Sequence, residues 1–466
     1  MKIPILNGIY TDRNGDFRVS YPRNLFPVPN VSGISEGYLR PAYGIQHFAD
    51  VGGMDRGGIN WLDEMYRVCG SKLVKISKTG AVTVLGDVGG SDPVVMDYSF
   101  DRLAINSDKK LFYWDGATLT QVTDVDLRDV YDFVFVDGYF MTTDGEFLVV
   151  TELNDPMSVN PLKYGSSEVD PDPIMRVLKL RGEIHAINRY TSETFQNVGG
   201  SFFPFQVIRG AQSQKGCVGH RAACALDDSI ILVGSGRNES IGVHAITSGG
   251  SMKISTTDID KLLNSYSEAQ LSSTVVEYME NNGHQFVYIH LPKQTLVFDA
   301  AASQALGFPA WFVLTSGIGD GSTYRARYPV RCYGKWIVGD PLSSRVGTLE
   351  EGISDHWGQP VSWEFGTQII YNESNGAIFH RLELVGLLGR CAVRENPMVY
   401  TDFSSDGITW SQRFPAPTGT VGQRNARLVW LQQGMMQHWR IQRFSGTSDA
   451  HLSVARLEAQ MEPLYV

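Results

Sequence analysis

Residues 284–316 read HQFVYIHLPKQTLVFDAAASQALGFPAWFVLTS, and their reading decides the fold. The run 286–291 is apolar, aromatic and β-branched, and it stops at Pro292. A second run, 295–298, ends at Asp299 and a turn of small residues; a third covers 311–314. Strands joined this tightly can only pair antiparallel with their neighbours. The stretch carries no arrangement of acid, base, nucleophile or metal ligand, so it points to scaffold before catalyst.

Upstream the same unit recurs with variations. Strands are expected at 65–69, 73–77 and 82–85, then at 94–98, 103–106, 111–114 and 119–122. A third set covers 132–136, 139–143 and 146–150, with Asp137-Gly138 and Asp144-Gly145 between the runs. Asp-Gly between apolar runs is the strongest short-range hairpin signal. The recurrence, about 35–40 residues per set with no helices between, is the period of a β-propeller blade. Four prolines make 154–174 a long loop between blades, after which strands are expected at 184–188, 199–203, 222–226, 229–234 and 241–246. Thr257 with Asp260 and Ser267 with Gln270 have capping-box spacing, which predicts two short helices at 257–265 and 267–273. Further strands at 330–332, 335–338 and 345–350 complete six or seven blades over 51–355.

The two ends differ from this body. Residues 1–50 hold Pro22, Pro27, Pro29 and Pro41 among aromatic and aliphatic anchors, which suggests an irregular arm packed on the propeller. Beyond 355–360 the strands lengthen and alternate more cleanly, at 361–371, 378–385, 398–404, 428–431, 439–444 and 452–462. Alternation of this kind marks a half-exposed sheet, and 360–466 reads as a β-sandwich. The fold class is therefore all-β: a propeller, then a C-terminal sandwich, with two short helices inserted.

Composition bounds the function. The formal net charge of −10 over 466 residues argues against a protein that coats nucleic acid, which needs clustered Lys and Arg. Five scattered cysteines suit reduced thiols in a cytoplasm better than a disulfide framework. No run approaches the length of a transmembrane helix, and the first residues lack the apolar core of a secretory signal.

Several motifs touch on chemistry. Cys217, His220 and Cys224 lie close together, but a closed zinc site needs four ligands and no second pair follows. Gly234-Ser235-Gly236 follows an apolar strand, yet Glu239 stands where a dinucleotide fingerprint has its third glycine, so a strand-ending turn is the better reading. The run Asp124, Asp126, Asp129 and Asp132 reads as solvated surface. Residues 404–410, SSDGITW, resemble the Asp-box turn of sialidases, one residue shorter, in which the aspartate caps turn amides and the tryptophan packs beneath. No Walker loop, G-x-S-x-G or H-E-x-x-H occurs. No catalytic, cofactor-binding or metal residue is assigned.

Residues 264–304, NSYSEAQLSSTVVEYMENNGHQFVYIHLPKQTLVFDAAASQ, carry a specific resemblance. The Ser-Tyr-Ser helix start, IHLP and LVFDA resemble the packaged-DNA stabilisation proteins, or tail accessory factors, of short-tailed phages of the lambdoid Salmonella type. MYRVCGSKLVK (65–75) resembles that family's early blade, GYLRPAYGI (37–45) its arm, and SSDGITW with the final strands (404–462) its last domain. The resemblance implies a propeller with an attached sandwich and a structural, non-enzymatic role in the virion tail, in a particle assembled in the host cytoplasm. It implies a homohexameric ring beneath the portal and its adaptor ring, extending the DNA channel without sequence-specific DNA binding. Tailspikes or fibres and the central needle or plug would attach to that ring. A second reading of the residues stays open: a carbohydrate-binding or glycoside-hydrolysing propeller, with clustered aromatics and carboxylates on its axis.

Overall fold

The computed structural model describes residues 2–3, 5, 21–30, 37–153, 155–247, 250–319, 322–372 and 375–464. Seven antiparallel blades form a closed ring. Their innermost strands are Asp55–Trp61, Val95–Tyr98, Asp132–Val136, Ile174–Leu180, Ala223–Leu226, Val275–Asn281 and Arg327–Cys332; each touches the next, and the last touches the first. The opening stretch of the sequence is the outer part of blade 6, with strands His284–His290, Thr295–Asp299 and Ala310–Leu314 in register as Val287↔Phe298 and Phe298↔Trp311.

The cores lie between blades rather than within them, because each thin sheet must bury both faces. Leu103, Ile105 and Phe112 of blade 2 pack on Tyr66, Val68 and Leu73 of blade 1. Phe195 and Ile184 of blade 4 meet Met141 and Val150 of blade 3. Blade 7 owes its outermost strand to the N-terminal region: Gly44–Asp50 pairs with Arg345–Glu350, Val346 opposite Ala49. The ring is thus closed by a strand from the other end of the propeller sequence.

The region 1–50, expected to be irregular, includes among its described residues the strands Leu25–Pro29, Gly37–Pro41 and Gly44–Asp50. Leu25–Pro29 and Gly37–Pro41 pair with each other and, through Leu39↔Val454, with the final strand Ser453–Pro463. They extend one sandwich sheet, which also holds Ala377–Leu387 and Leu428–Leu431. The facing sheet holds Ser362–Gly366, Trp439–Thr447, Met398–Ser404 and Phe414–Pro417. The core between them includes Phe365, Phe379, Leu382, Phe444 and Leu457. Arg23 and Asn24 tie this body to blade 6: Arg23 bridges both Val313 and Glu364, and the Asn24 side chain donates to the Ser362 carbonyl at 2.7 Å.

Other expectations need correction. Residues 154–174 are not a long loop; Asp155–Ser166 is a strand of twelve residues. Pro156 and Pro161 are tolerated there because the strand is the outermost of its blade and need not donate on its free side. Residues 199–203 form a connection, with strands at Ser192–Asn197 and Phe205–Val207. The small residues after Asp299 form a third helix, α3 (Ala300–Leu306), rather than a turn; the Asp299 carboxylate accepts from the Ala302 N–H at 3.0 Å, and Gly307 closes it at φ 76°. The two expected helices are α1 (Thr257–Asn264) and α2 (Glu268–Leu271). The Ser267–Gln270 capping box forms, but α1 is capped by Thr256 without a side-chain bond, so Thr257 and Asp260 do not make one.

Candidate functional site

The propeller axis is the first place to look, because seven strand starts converge there. Arg221, just before the inner strand of blade 5, crosses it. Its guanidinium donates to the Pro93 carbonyl between blades 1 and 2 at 3.0 Å and lies 3.9 Å from Asp132 of blade 3. Burial lowers its pKa to about 10. Asp132 also accepts from the Val177 N–H at 2.9 Å. Glu277 of blade 6 accepts from the Tyr328 N–H at 3.0 Å and lies 2.9 Å from His290 Nε2. These two inner-strand carboxylates are thus committed to structural partners, and an arginine lies across the axis. Asp132 corrects the expectation of a solvated acidic run: it is 1% exposed, whereas Asp129 is exposed beside Lys109. Asp124 instead holds backbone, accepting from the Asp126 and Val159 N–H groups.

The other motifs disperse. His220 stacks on Tyr131 at 4.9 Å between ring centroids, with Nδ1 2.8 Å from the Met175 carbonyl. Cys217 donates to the Gly219 carbonyl and shares a core with Cys224, but among the described residues no three metal-binding side chains gather there. Gly234 ends a strand where a Cβ would stand 1.9 Å from the Gly216 carbonyl oxygen; the residue is glycine because two strands cross closely there. Glu239 pairs with Lys215 and accepts from the Gly236 N–H.

The SSDGITW turn forms as its chemistry predicts. The Asp406 carboxylate accepts from the Ile408 and Thr409 N–H groups at 2.8 and 2.7 Å, and these bonds, with the Thr409 hydroxyl bond foremost, hold its pKa well below the usual range. Trp410 does not pack beneath the turn in the expected way. Its ring lies under the Arg443 guanidinium, 3.9 Å from centroid to Cζ. Arg443 in turn grips Asp402 with Nε and Nη2, at 2.8 and 2.5 Å. Sequence reading missed this Arg–Asp–Trp stack; a basic and an acidic residue at facing positions of two neighbouring strands was the available signal.

Blade ends expose apolar side chains. In an up-and-down sheet the first-to-second and third-to-fourth connections emerge at the same end. Leu62 and Phe100 sit on the former in blades 1 and 2, and Leu153, Val198 and Phe202 on the latter in blades 3 and 4. Phe100 is 93% exposed. Among the described residues no group of three metal-binding side chains is gathered, and no helix is long and apolar enough to cross a membrane.

Comparison with known proteins agrees with this architecture. Residues 1–354 match the family described as the β-propeller of bacteriophage P22 Gp10, and residues 362–462 match the one described as its β-sandwich. The tail hub protein gp10 of Salmonella phage P22 is 26% identical over 458 residues, covering 94% of each chain. Among solved structures, the computationally designed Ika8 protein overlaps with a TM-score of 0.39 at 9% identity, covering 66% of this chain and 99% of that one. The N-terminal domain of Nup159 overlaps with a TM-score of 0.39 at 8% identity, covering 75% and 95%. Overlaps this loose say nothing about function.

Proposed function

The chain belongs to the bacteriophage P22 Gp10 family, and from that premise we propose that it is a structural tail-hub protein of a short-tailed phage virion. The observation that carries this is the alignment with a tail hub protein through both domains, over 94% of each chain. In this reading six copies form a ring below the portal–adaptor complex, extend the DNA channel, help retain packaged DNA, and offer attachment to tailspikes or fibres and to the needle or plug. The particle is assembled in the host cytoplasm. The chain works as a propeller (51–355) and a sandwich (360–466), with an N-terminal arm (1–50) that lends Gly44–Asp50 to blade 7 and Leu25–Pro29 and Gly37–Pro41 to the sandwich.

Four features support the reading. The apolar tips Leu62, Phe100 and Phe202 at one end of the propeller suit a buried contact. Arg221 lies across the propeller axis, so a DNA duplex would pass between copies, not through the propeller. The net charge of −10 suits a channel wall that lets DNA slide without trapping it. The inner-strand carboxylates of Asp132 and Glu277 are engaged by protein groups, which favours a scaffold over catalysis there.

The test is co-sedimentation of the purified chain with DNA-filled capsids that carry portal and adaptor but no later tail proteins. Saturable binding at a few copies per capsid, with slower DNA leakage, is the expected result. Absence of binding overturns the proposal.

A further inference from the structure

We propose that the groove between the propeller edge and the outer face of the sandwich is a binding site for a neutral saccharide. The groove encloses about 570 Å³, within the range of small-molecule sites, roughly 300–1,000 Å³. Strand register builds its floor. Glu364, Ser445 and Tyr400 form one cross-strand row, and Asp402 faces Arg443 in the next. Alternation along these strands turns Phe365, Val399 and Phe444 into the core and leaves this set on the outer face. The Asp406-capped turn then lays Trp410 against Arg443 at the rim. Arg413, more than half exposed, lies 3.7 Å from Asp402 and completes the wall.

The choice of ligand follows from the mixture. A pyranose has an apolar C–H face and hydroxyls that each donate and accept. Tyr400, 37% exposed, and Trp410 offer flat apolar surface for the first. Arg413 and Arg443 offer donors, and Glu364 and Ser445 acceptors, for the second. The charged side chains of the groove already pair with one another, Arg443 and Arg413 with Asp402 and Arg23 with Glu364, so a phosphate-bearing ligand would have to break ion pairs to bind. A purely apolar ligand would strand these charged groups without solvent. Neither objection applies to an uncharged polyhydroxy ligand.

The full-length chain is tested on an array of neutral, uronate-bearing and sialate-bearing oligosaccharides with a single-stranded oligonucleotide as control, followed by calorimetric titration of the hits. Saturable binding of neutral saccharides is expected, weakened at least tenfold by Trp410→Ala and by Tyr400→Ala with the thermal midpoint held. Should those variants misfold, Arg413→Gln decides, since the residue is exposed; it is expected to weaken binding about threefold or more. No neutral-glycan binding, a preference for acidic glycans or for the oligonucleotide, or binding that Arg413→Gln and the folded aromatic variants leave unchanged overturns the site. The capsid assay above is independent of each of these outcomes.

Discussion

The Arg67 guanidinium holds the Asp55 carboxylate at both ends, Nε to Oδ1 at 2.7 Å and Nη2 to Oδ2 at 2.6 Å, with neither side chain exposed. Arg67 also donates to the Tyr328 carbonyl at 3.1 Å, so the pair fastens blade 1 to blade 7 where the ring closes. Breaking such a pair by removing one partner leaves a buried charge and costs ~3–5 kcal/mol. Asp55→Asn should therefore destabilise the chain by an amount in that range, measured by denaturant unfolding. Replacing both residues together with apolar ones should cost less than the single change; an equal or larger cost would contradict this account.

Stability should fall with acid in a defined window. Burial lowers His356 to about 3 and His185 to about 4. In the unfolded chain each protonates near the usual ~6.5. Below that pH the unfolded state binds more protons than the folded one, so stability is full above ~6.5 and declines as pH drops toward the folded values. His356, bonded through Nδ1 to Ser316 at 2.7 Å, should contribute a slope of ~1.4 kcal/mol per pH unit between about 6 and 4. His356→Gln should remove about one proton's worth of that slope. An unchanged slope in unfolding curves at pH 7, 6 and 5 would refute it.

Asn24 should control whether the two domains behave as one. Its backbone lies in the left-handed region at φ 53°, which asparagine tolerates. Its side chain donates to the Ser362 carbonyl at 2.7 Å and accepts from the Thr315 N–H at 3.0 Å. Asn24→Leu leaves both groups unpaired, at about 1–3 kcal/mol each. Calorimetry should show the single transition of the parent broadening or splitting, with faster proteolysis around 351–353, which is exposed.

Arg440 is buried between two aromatic rings, its Cζ 4.2 Å from the Phe379 centroid and 3.9 Å from that of Phe403. Its guanidinium donates to neutral oxygens, the Gln442 side chain and the Gln433 carbonyl. Burial lowers its pKa to about 9. A lysine cannot reproduce the fork or the stacking. Arg440→Lys should cost the sandwich roughly 1–3 kcal/mol by denaturant unfolding, and a neutral result would show that the stacking contributes little.

Gly234→Ala should disrupt blade 5, because the added methyl would stand 1.9 Å from a backbone oxygen that cannot swing away. Loss of soluble protein or a much lowered thermal midpoint is expected. A parent-like midpoint would mean the strands separate easily.

Legibility followed the range of the interaction. The strands Asp132–Val136, Tyr139–Thr143, Met398–Ser404 and Leu428–Leu431 were readable to the residue, because alternation and hairpin chemistry are local. Asp155–Ser166 was hidden by its prolines, which signal a break unless the strand is known to lie at an edge. Helix α3 is too short to show a period, and its small residues look like a turn. Leu25–Pro29 and Gly37–Pro41 could not be read as strands, since prolines fall within both and the pair joins a sheet only through Leu39 opposite Val454 of the final strand. The candidate groove was visible only as SSDGITW; its other members come from strands that meet only in the fold. Arg221 gave no signal, because an axial position exists only once the ring has closed.

The strand Gly44–Asp50 is made early and finds its partner only in Arg345–Glu350, while Leu39 waits for Val454. A ribosome must therefore produce about three-quarters of the polypeptide before blade 7 can close, and almost all of it before Leu39 meets Val454. Until then, six blades stand as an open fan with bare edges, and the N-terminal strands hang free. Contacts this distant in sequence make for slow folding and long exposure of sticky intermediates. Yield would then be governed by what shields the nascent chain until residues 345–350 emerge.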